Sequence, residues 1–212
     1  MYATIGKRIL DMALAITALI LLLPFLTVIA LLILIKSGSP VFFLQKRPGF
    51  RGRPFTLVKF RTMTNDRAAG GEMRPDADRL DSFGKFLRAT SIDELPELIN
   101  VIQGNMSLVG PRPLLMQYLD RYTPEQQRRH DVRPGITGWA QVNGRNAITW
   151  EERLAQDVWY VDNQTFTLDL GILAKTFWKV LSREGVNQPG QATMEEFLGH
   201  TPKAGSPKGN QP

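Results

Sequence analysis

The chain has 212 residues, and its 26 Lys and Arg against 20 Asp and Glu give it a net charge of +6. It has no cysteine and only two histidines, His130 and His200, which excludes disulfides, thiolate metal sites and a histidine-rich zinc site. That length sets one globular domain, the basic balance suits anionic partners, and any metal would be a hard cation on carboxylate oxygens.

The first element is the run from Met12 to Ile35, which carries no charge. As a helix it would extend about 36 Å, enough to cross a hydrocarbon core of about 30 Å. A cleaved signal peptide would have a shorter apolar region and a small-residue cleavage site, which KSGSP lacks. Pro24 falls midway and predicts a bend or break, leaving Met12–Leu23 and Phe25–Ile35, each about 16–18 Å long. Lys7 and Arg8 precede the run, while Lys36, Lys46, Arg47, Arg51 and Arg53 follow it. Basic residues favour the cytoplasmic side, so a re-entrant hairpin broken at Pro24 satisfies both flanks; a kinked span is the alternative.

All but three of the charged residues follow position 35, so the remainder is a water-facing domain. VFFLQ (Val41–Gln45) and FTLVKFRTM (Phe55–Met63) read as strands joined by the turn-rich KRPGFRGRP. NDRAAGGEMRPDAD is a loop, and RLDSFGKFLRAT places Leu80, Phe83, Phe86 and Leu87 at helical spacing. A further helix runs from about Asp93 to Ile102, stopped by Gly104. The glycine–proline segments VGPRP, VRPGITG and QVNGRN follow, then a helix over TWEERLAQDVWYVDN with Trp150, Leu154, Val158 and Val161 on one face. LDLGILAKTFWKVLSRE sets Leu170, Leu173 and Phe177 apart from Lys175, Lys179 and Arg183, as in a core-facing helix or one lying in a bilayer interface. The tail GHTPKAGSPKGNQP has the composition of a disordered segment. The resulting division is 1–36 membrane segment, 37–198 catalytic domain and 199–212 tail.

Within SIDELPEL, Asp93 and Glu94 are adjacent carboxylates at a helix start. With Asp93 as N-cap, Pro96 falls at the third helical position, where its missing N–H costs nothing. Capping is the plain explanation of Asp93. The same helix end attracts phosphate, however, and Arg88, Arg112, Arg133 and Arg145 stand beside rigid backbone, with Lys59 and Arg61 in VKFRT. Each cation taken alone reads equally well as a solvated surface charge. An ionised aspartate attacks phosphorus once Mg²⁺ and arginines neutralise the phosphate. Consecutive helical side chains point about 100° apart, so Glu94 takes a different role, binding the ion or orienting the nucleophile. Asp157 is a third candidate for metal or substrate, against an exposed helix charge.

The ordered blocks KFRTM, SIDELPELINVIQGNMSLVGPRP, HDVRPGITGWAQVNGRN and WEERLAQDVWYV resemble the small bacterial sugar transferases called monotopic phosphoglycosyl transferases, and the resemblance covers all but about the last dozen residues. It implies transfer of a phospho-sugar from a UDP-sugar to polyprenyl (undecaprenyl) phosphate, releasing UMP by a ping-pong route. It makes Asp93 the nucleophile and Glu94 its partner, both ligands of Mg²⁺, and gives Lys59, Arg88, Arg112, Arg145 and Asp157 to substrate phosphates or the metal. The implied fold is a mostly helical α/β monotopic membrane protein, with a re-entrant helix broken at Pro24, interfacial amphipathic helices and a small α/β catalytic part. The family often has serine before that proline; here it is Leu23. The resemblance further implies a bacterial inner (cytoplasmic) membrane with the domain on the cytoplasmic face and an N-acetylated donor, leaving a homo-oligomer open; with no nucleic-acid motif and no stacking pattern among the basic residues, no nucleic-acid partner is expected. Two other classes compete. A membrane-bound phosphohydrolase using the same aspartyl-phosphate would release sugar phosphate without lipid, and an anchored anionic-lipid-binding module would be indifferent to Asp93→Asn.

Overall fold

The computed structural model describes residues 2–66, 70–144, 148–182 and 196–199. The uncharged run forms one 31-residue helix, α1 (Lys7–Ser37), preceded by a π-helical turn over Tyr2–Gly6. Of the bend or break expected at Pro24, no break appears, since the residues stay helical across it. Proline removes the N–H that would bond the Ile20 carbonyl, but packing grips the helix on both sides of Pro24. Its buried stripe runs from Lys7, Asp11 and Ala15 through Leu26 and Ile29 to Ile33. Ala15 packs with Phe55, Leu57, Leu98 and Val101, while Leu26, Ile29 and Ile33 pack with Phe60 and Leu87. The opposite face, including Ile20, Leu21 and Ile35, is exposed.

Both ends of α1 are fastened to the same domain. Near the start, Lys7 pairs with Asp169 at 2.5 Å, and Asp11 accepts from the Ser107 hydroxyl at 2.6 Å. Arg8 donates to the carbonyls of Val101 and Ile102. At the far end the Arg61 guanidinium donates to the carbonyls of Ser37, Gly38 and Ser39. Arginine caps free C-terminal carbonyls in this way.

The two expected strands form an antiparallel hairpin, β1 (Phe42–Pro48) and β2 (Pro54–Phe60), with Phe43 opposite Lys59. Helix α2 (Ser82–Ala89) follows, opened by the Asp81 side chain accepting from the Gly84 N–H at 2.6 Å. Gly84 has to be glycine: a Cβ there would lie 2.0 Å from the Thr62 carbonyl oxygen. The next helix, α3 (Glu97–Ile102), starts later than the sequence suggests. Ser91, at φ 55, turns the chain into a 3-10 turn over Ile92–Glu94, and α3 begins directly after Pro96. Pro96 thus sits where no N–H is required, and Asp93 caps nothing.

Segments that read as glycine–proline loops contain a parallel pair, β3 (Ser107–Val109) and β4 (Gly135–Thr137). A Cβ on Gly110 would lie 2.4 Å from the Arg133 carbonyl oxygen, and one on Gly135 would lie 2.1 Å from the Gly110 nitrogen, so the two backbones touch. Helix α4 (Trp150–Asn163) opens with a reciprocal cap between Thr149 and Glu152, and α5 (Phe166–Ser182) completes the order of labelled elements. In α5 both readings of the pattern have a counterpart. Ile172 is fully buried, whereas Phe177 and Trp178 are exposed. Near the end Phe197 is buried among Tyr118, Tyr122 and Trp150. The expected tail from residue 200 onward lies outside the described residues.

Candidate active site

Four segments bring the charged residues together. Strand β2 supplies Lys59, the end of α2 supplies Arg88, and the turn before α3 supplies Asp93 and Glu94. The loop leaving β3 adds Arg112. Glu94 is gripped from two sides: Lys59 Nζ lies 2.7 Å from its Oε1, and Arg112 reaches Oε1 at 2.5 Å and Oε2 at 3.3 Å. Such a fork fixes the carboxylate in orientation as well as charge. Lys59 also reaches Glu97 at 3.0 Å, and Arg88 donates through Nε to the Thr62 hydroxyl at 3.0 Å. Among the described residues no hydrogen bond or ion pair occupies the Asp93 carboxylate, although Asp93 is only 9% exposed. Asp93, Glu94, Lys59, Arg88 and Arg112 border one cavity of about 900 Å³, with Phe43 on one wall and Tyr118 and Trp150 on another. A second cavity, about 500 Å³, touches Glu94, Arg88 and Arg112 on a different side but not Asp93.

Burial and environment drive the two adjacent acids in opposite directions. Asp93 is pushed up to about 6, first by burial and then by the Glu94 charge, against the pull of Lys59, Arg112 and Arg88. For Glu94, burial alone would raise the pKa, but Arg112 and Lys59 outweigh it and hold the carboxyl well below the usual range. Asp93 is thus raised towards neutrality and, among the described residues, has no partner. Glu94 is an anion that organises its cations.

Of the other sequence candidates, Asp157 lines neither of these two cavities. It is buried on α4 and pairs with Arg129 at 2.7 Å, and Arg129 in turn donates to the Arg112 carbonyl at 2.7 Å. A buried carboxylate placed this way supports the Arg112 loop through Arg129. Arg145 lies outside the described residues. Arg133 turns outward to the Gly104 carbonyl, and Arg61 borders the cavity while its guanidinium caps α1. Glu97 was missed: it is buried, shares Lys59, and is raised to about 7 by burial and Glu94. Its position three residues after Glu94 on a helical stretch was the available signal. Arg129 was also missed, and no local pattern marked it.

Asp93 borders the cavity with its carboxylate uncommitted among the described residues, whereas both Glu94 oxygens are taken by Lys59 and Arg112; Mg²⁺ is commonly bound by one or two carboxylates together with water and substrate phosphates. Among the described residues there is no group of three or more Asp, Glu, His or Cys that could hold a metal through protein ligands alone. The geometry thus fits an ion shared with a phosphate ligand.

Residues 2–183 match the model of the bacterial sugar transferase family. The chain is 56% identical over 197 residues to the uncharacterized sugar transferase EpsL of Bacillus subtilis, covering 91% of this chain and 96% of the relative. It is 39% identical over 194 residues to a UDP-glucose:undecaprenyl-phosphate glucose-1-phosphate transferase of Xanthomonas campestris, covering 86% of this chain and 40% of that protein. A UDP-N-acetylgalactosamine-undecaprenyl-phosphate N-acetylgalactosaminephosphotransferase of Aeromonas hydrophila is 39% identical over 187 residues, covering 84% of this chain and 44% of its own length. The chain thus spans nearly all of one relative and less than half of these two. With the family model matched across almost every described residue, the chain belongs to the bacterial sugar transferase family.

Proposed function

We propose that this protein moves a sugar 1-phosphate from a UDP-sugar to polyprenyl phosphate in two displacements at Asp93. One observation carries the reading: a carboxylate with no partner among the described residues borders a cavity lined by Lys59, Arg88 and Arg112, beside a second carboxylate that is fully engaged. Asp93 attacks the phosphorus that bears the sugar, the bond to the bridging oxygen breaks, and UMP leaves. An oxygen of the prenyl phosphate then attacks the same phosphorus, the bond to Asp93 breaks, and the carboxylate returns. Arg88, Arg112 and Lys59 neutralise charge as it shifts between entering and leaving oxygens. Mg²⁺ held beside Asp93, and by Glu94 only if it gave up Lys59 or Arg112, would supply further neutralisation of the diphosphate. The relatives' names include both glucose and N-acetylgalactosamine, so family membership does not choose the sugar.

A lipid acceptor calls for a site at the membrane surface. Side-on packing of α1 along its whole length, with both ends fastened to the domain, supports a helix that enters one leaflet without crossing, both ends remaining on the cytoplasmic side. A free-standing span would leave one end beyond the domain's reach. The exposed aromatic groups of α5, Phe177 and Trp178, fit the bilayer interface on the same reading.

The test is incubation of purified protein with UDP-sugar and Mg²⁺ but no lipid, followed by mass spectrometry of peptides. The expected result is UMP release and a phospho-sugar adduct on Asp93. Sugar phosphate released continuously without acceptor would favour the phosphohydrolase. No UMP release until prenyl phosphate is added would remove the covalent intermediate.

A further inference from the structure

A hairpin strand with one buried face alternates apolar and polar side chains. Strand β1 does not: Phe42, Phe43 and Leu44 are consecutive and are 41, 45 and 60% exposed. Both faces of the strand are therefore apolar at this end, and each leaves apolar surface exposed. Phe43 shares its face with Gln45 and Arg47, and all three line the cavity that contains Asp93. Cross-strand partners have Cβ atoms about 5 Å apart. Phe43 is paired with Lys59, the lysine that holds Glu94. On the other side of the strand, Phe42 stacks on Phe60 at 5.4 Å, and Phe60 packs against Leu26, Ile29 and Ile33 of α1. One apolar path thus joins the charged cavity to the apolar helix. Tyr118 and Trp150, which also line the cavity, pack against buried Phe197.

We infer that Phe43 forms the subsite for the first isoprenoid units of the acceptor, with Phe42 and Leu44 setting this edge of the domain against the bilayer. The inference rests on the double displacement proposed above. When two in-line displacements follow one another at one phosphorus, the entering oxygen takes the position the first leaving group vacated. The acceptor phosphate then lies among Lys59, Arg88 and Arg112, and its chain has to leave the same cavity over an apolar wall that reaches the membrane. Phe43 is that wall. The uridine departs before the chain arrives, so both can use one phosphate position with different exits.

The experiment compares Phe43→Ser and Phe43→Leu with the wild type, measuring the KM for undecaprenyl phosphate, the KM for UDP-sugar, and the single-turnover rate of UMP release without acceptor. Removing the aromatic contact in Phe43→Ser raises the acceptor KM about tenfold relative to any change in the other two quantities, and Phe43→Leu recovers most of the loss. Equal losses in acceptor and donor steps, or an unchanged acceptor KM, would overturn the assignment. Thermal unfolding of each variant separates misfolding from either result, and the leucine variant keeps the comparison open if serine unfolds the chain. Should the wild type release no UMP without acceptor, the double displacement fails on that measurement, while the two KM values still decide the role of Phe43.

Discussion

At the start of α1, Lys7, Tyr2 and Tyr160 converge on Asp169; beside β2, Lys59 and Arg112 converge on Glu94. Both clusters bury charge, and both use short contacts. Asp169 takes Lys7 at 2.5 Å and the two tyrosine hydroxyls at 2.6 Å each. The carboxylate there is saturated, and the elements it joins, the N-terminal segment, α4 and α5, are locked together. The second cluster differs in having more acids than its cations engage. Glu94 and Glu97 divide Lys59, Glu94 takes Arg112, and Asp93 is left over. A saturated network gives rigidity; an unsaturated one beside a cavity gives a reactive group whose charge is costly to keep. The two acids, Asp169 and Asp93, should therefore respond to the same substitution in opposite ways.

The largest effect falls on chemistry. Asp93→Asn removes the nucleophile and should lower single-turnover UMP release by about 10⁴-fold or more, in line with losses on removing nucleophiles elsewhere. Asp169→Asn should leave the rate per folded molecule within a few-fold. If both variants lost turnover equally, with both folded, the division between saturated and unsaturated clusters would be wrong.

The next effect falls on stability. Asp169→Asn leaves Lys7 buried beside a neutral amide, and breaking a buried pair from one side typically costs about 3–5 kcal/mol. Chemical unfolding in lipid nanodiscs should show a midpoint well below wild type, and Lys7→Met together with Asp169→Leu should recover part of the loss by removing both charges. An unchanged midpoint for the single variant would mean the pair is solvated.

What the sequence made legible follows the same contrast. The long apolar run, the hairpin and α4 announced themselves because each repeats a period or carries end signals over many residues. The dyad was legible because Asp93 and Glu94 are adjacent and lie among arginines. The pair β3 and β4 was not, since three-residue strands show no period and their partners are far apart in the chain. Asp157 illustrates the limit for single residues. Its place on α4 was readable, but whether it faces substrate or Arg129 depends on a loop from elsewhere in the chain. The start of α3 was misjudged for a local reason: Ser91 takes up a left-handed conformation, a choice serine does not advertise.

The smallest of these effects has the opposite sign to the loss in Asp169→Asn. The carboxyl of Asp93 is raised from an ordinary value of 3.8 to about 6 in the folded protein, mainly by burial. Above pH 6 the folded state holds a charge that the unfolded state accommodates more easily, so ionised Asp93 opposes folding. Below about pH 4 both states are protonated and the penalty vanishes. With EDTA present, so that no cation occupies the carboxylates, Asp93→Asn should stabilise the protein by about 1–3 kcal/mol at pH 8, since a tenfold difference in proton affinity between folded and unfolded states corresponds to about 1.4 kcal/mol. The gain should shrink as pH falls through 6 and disappear near 4. Paired denaturant titrations of wild type and variant across that window measure it directly. A gain that stayed constant with pH would trace to packing of the amide. A loss at pH 8 would mean that Lys59, Arg88 and Arg112 already stabilise the Asp93 charge, leaving nothing uncommitted for the reaction.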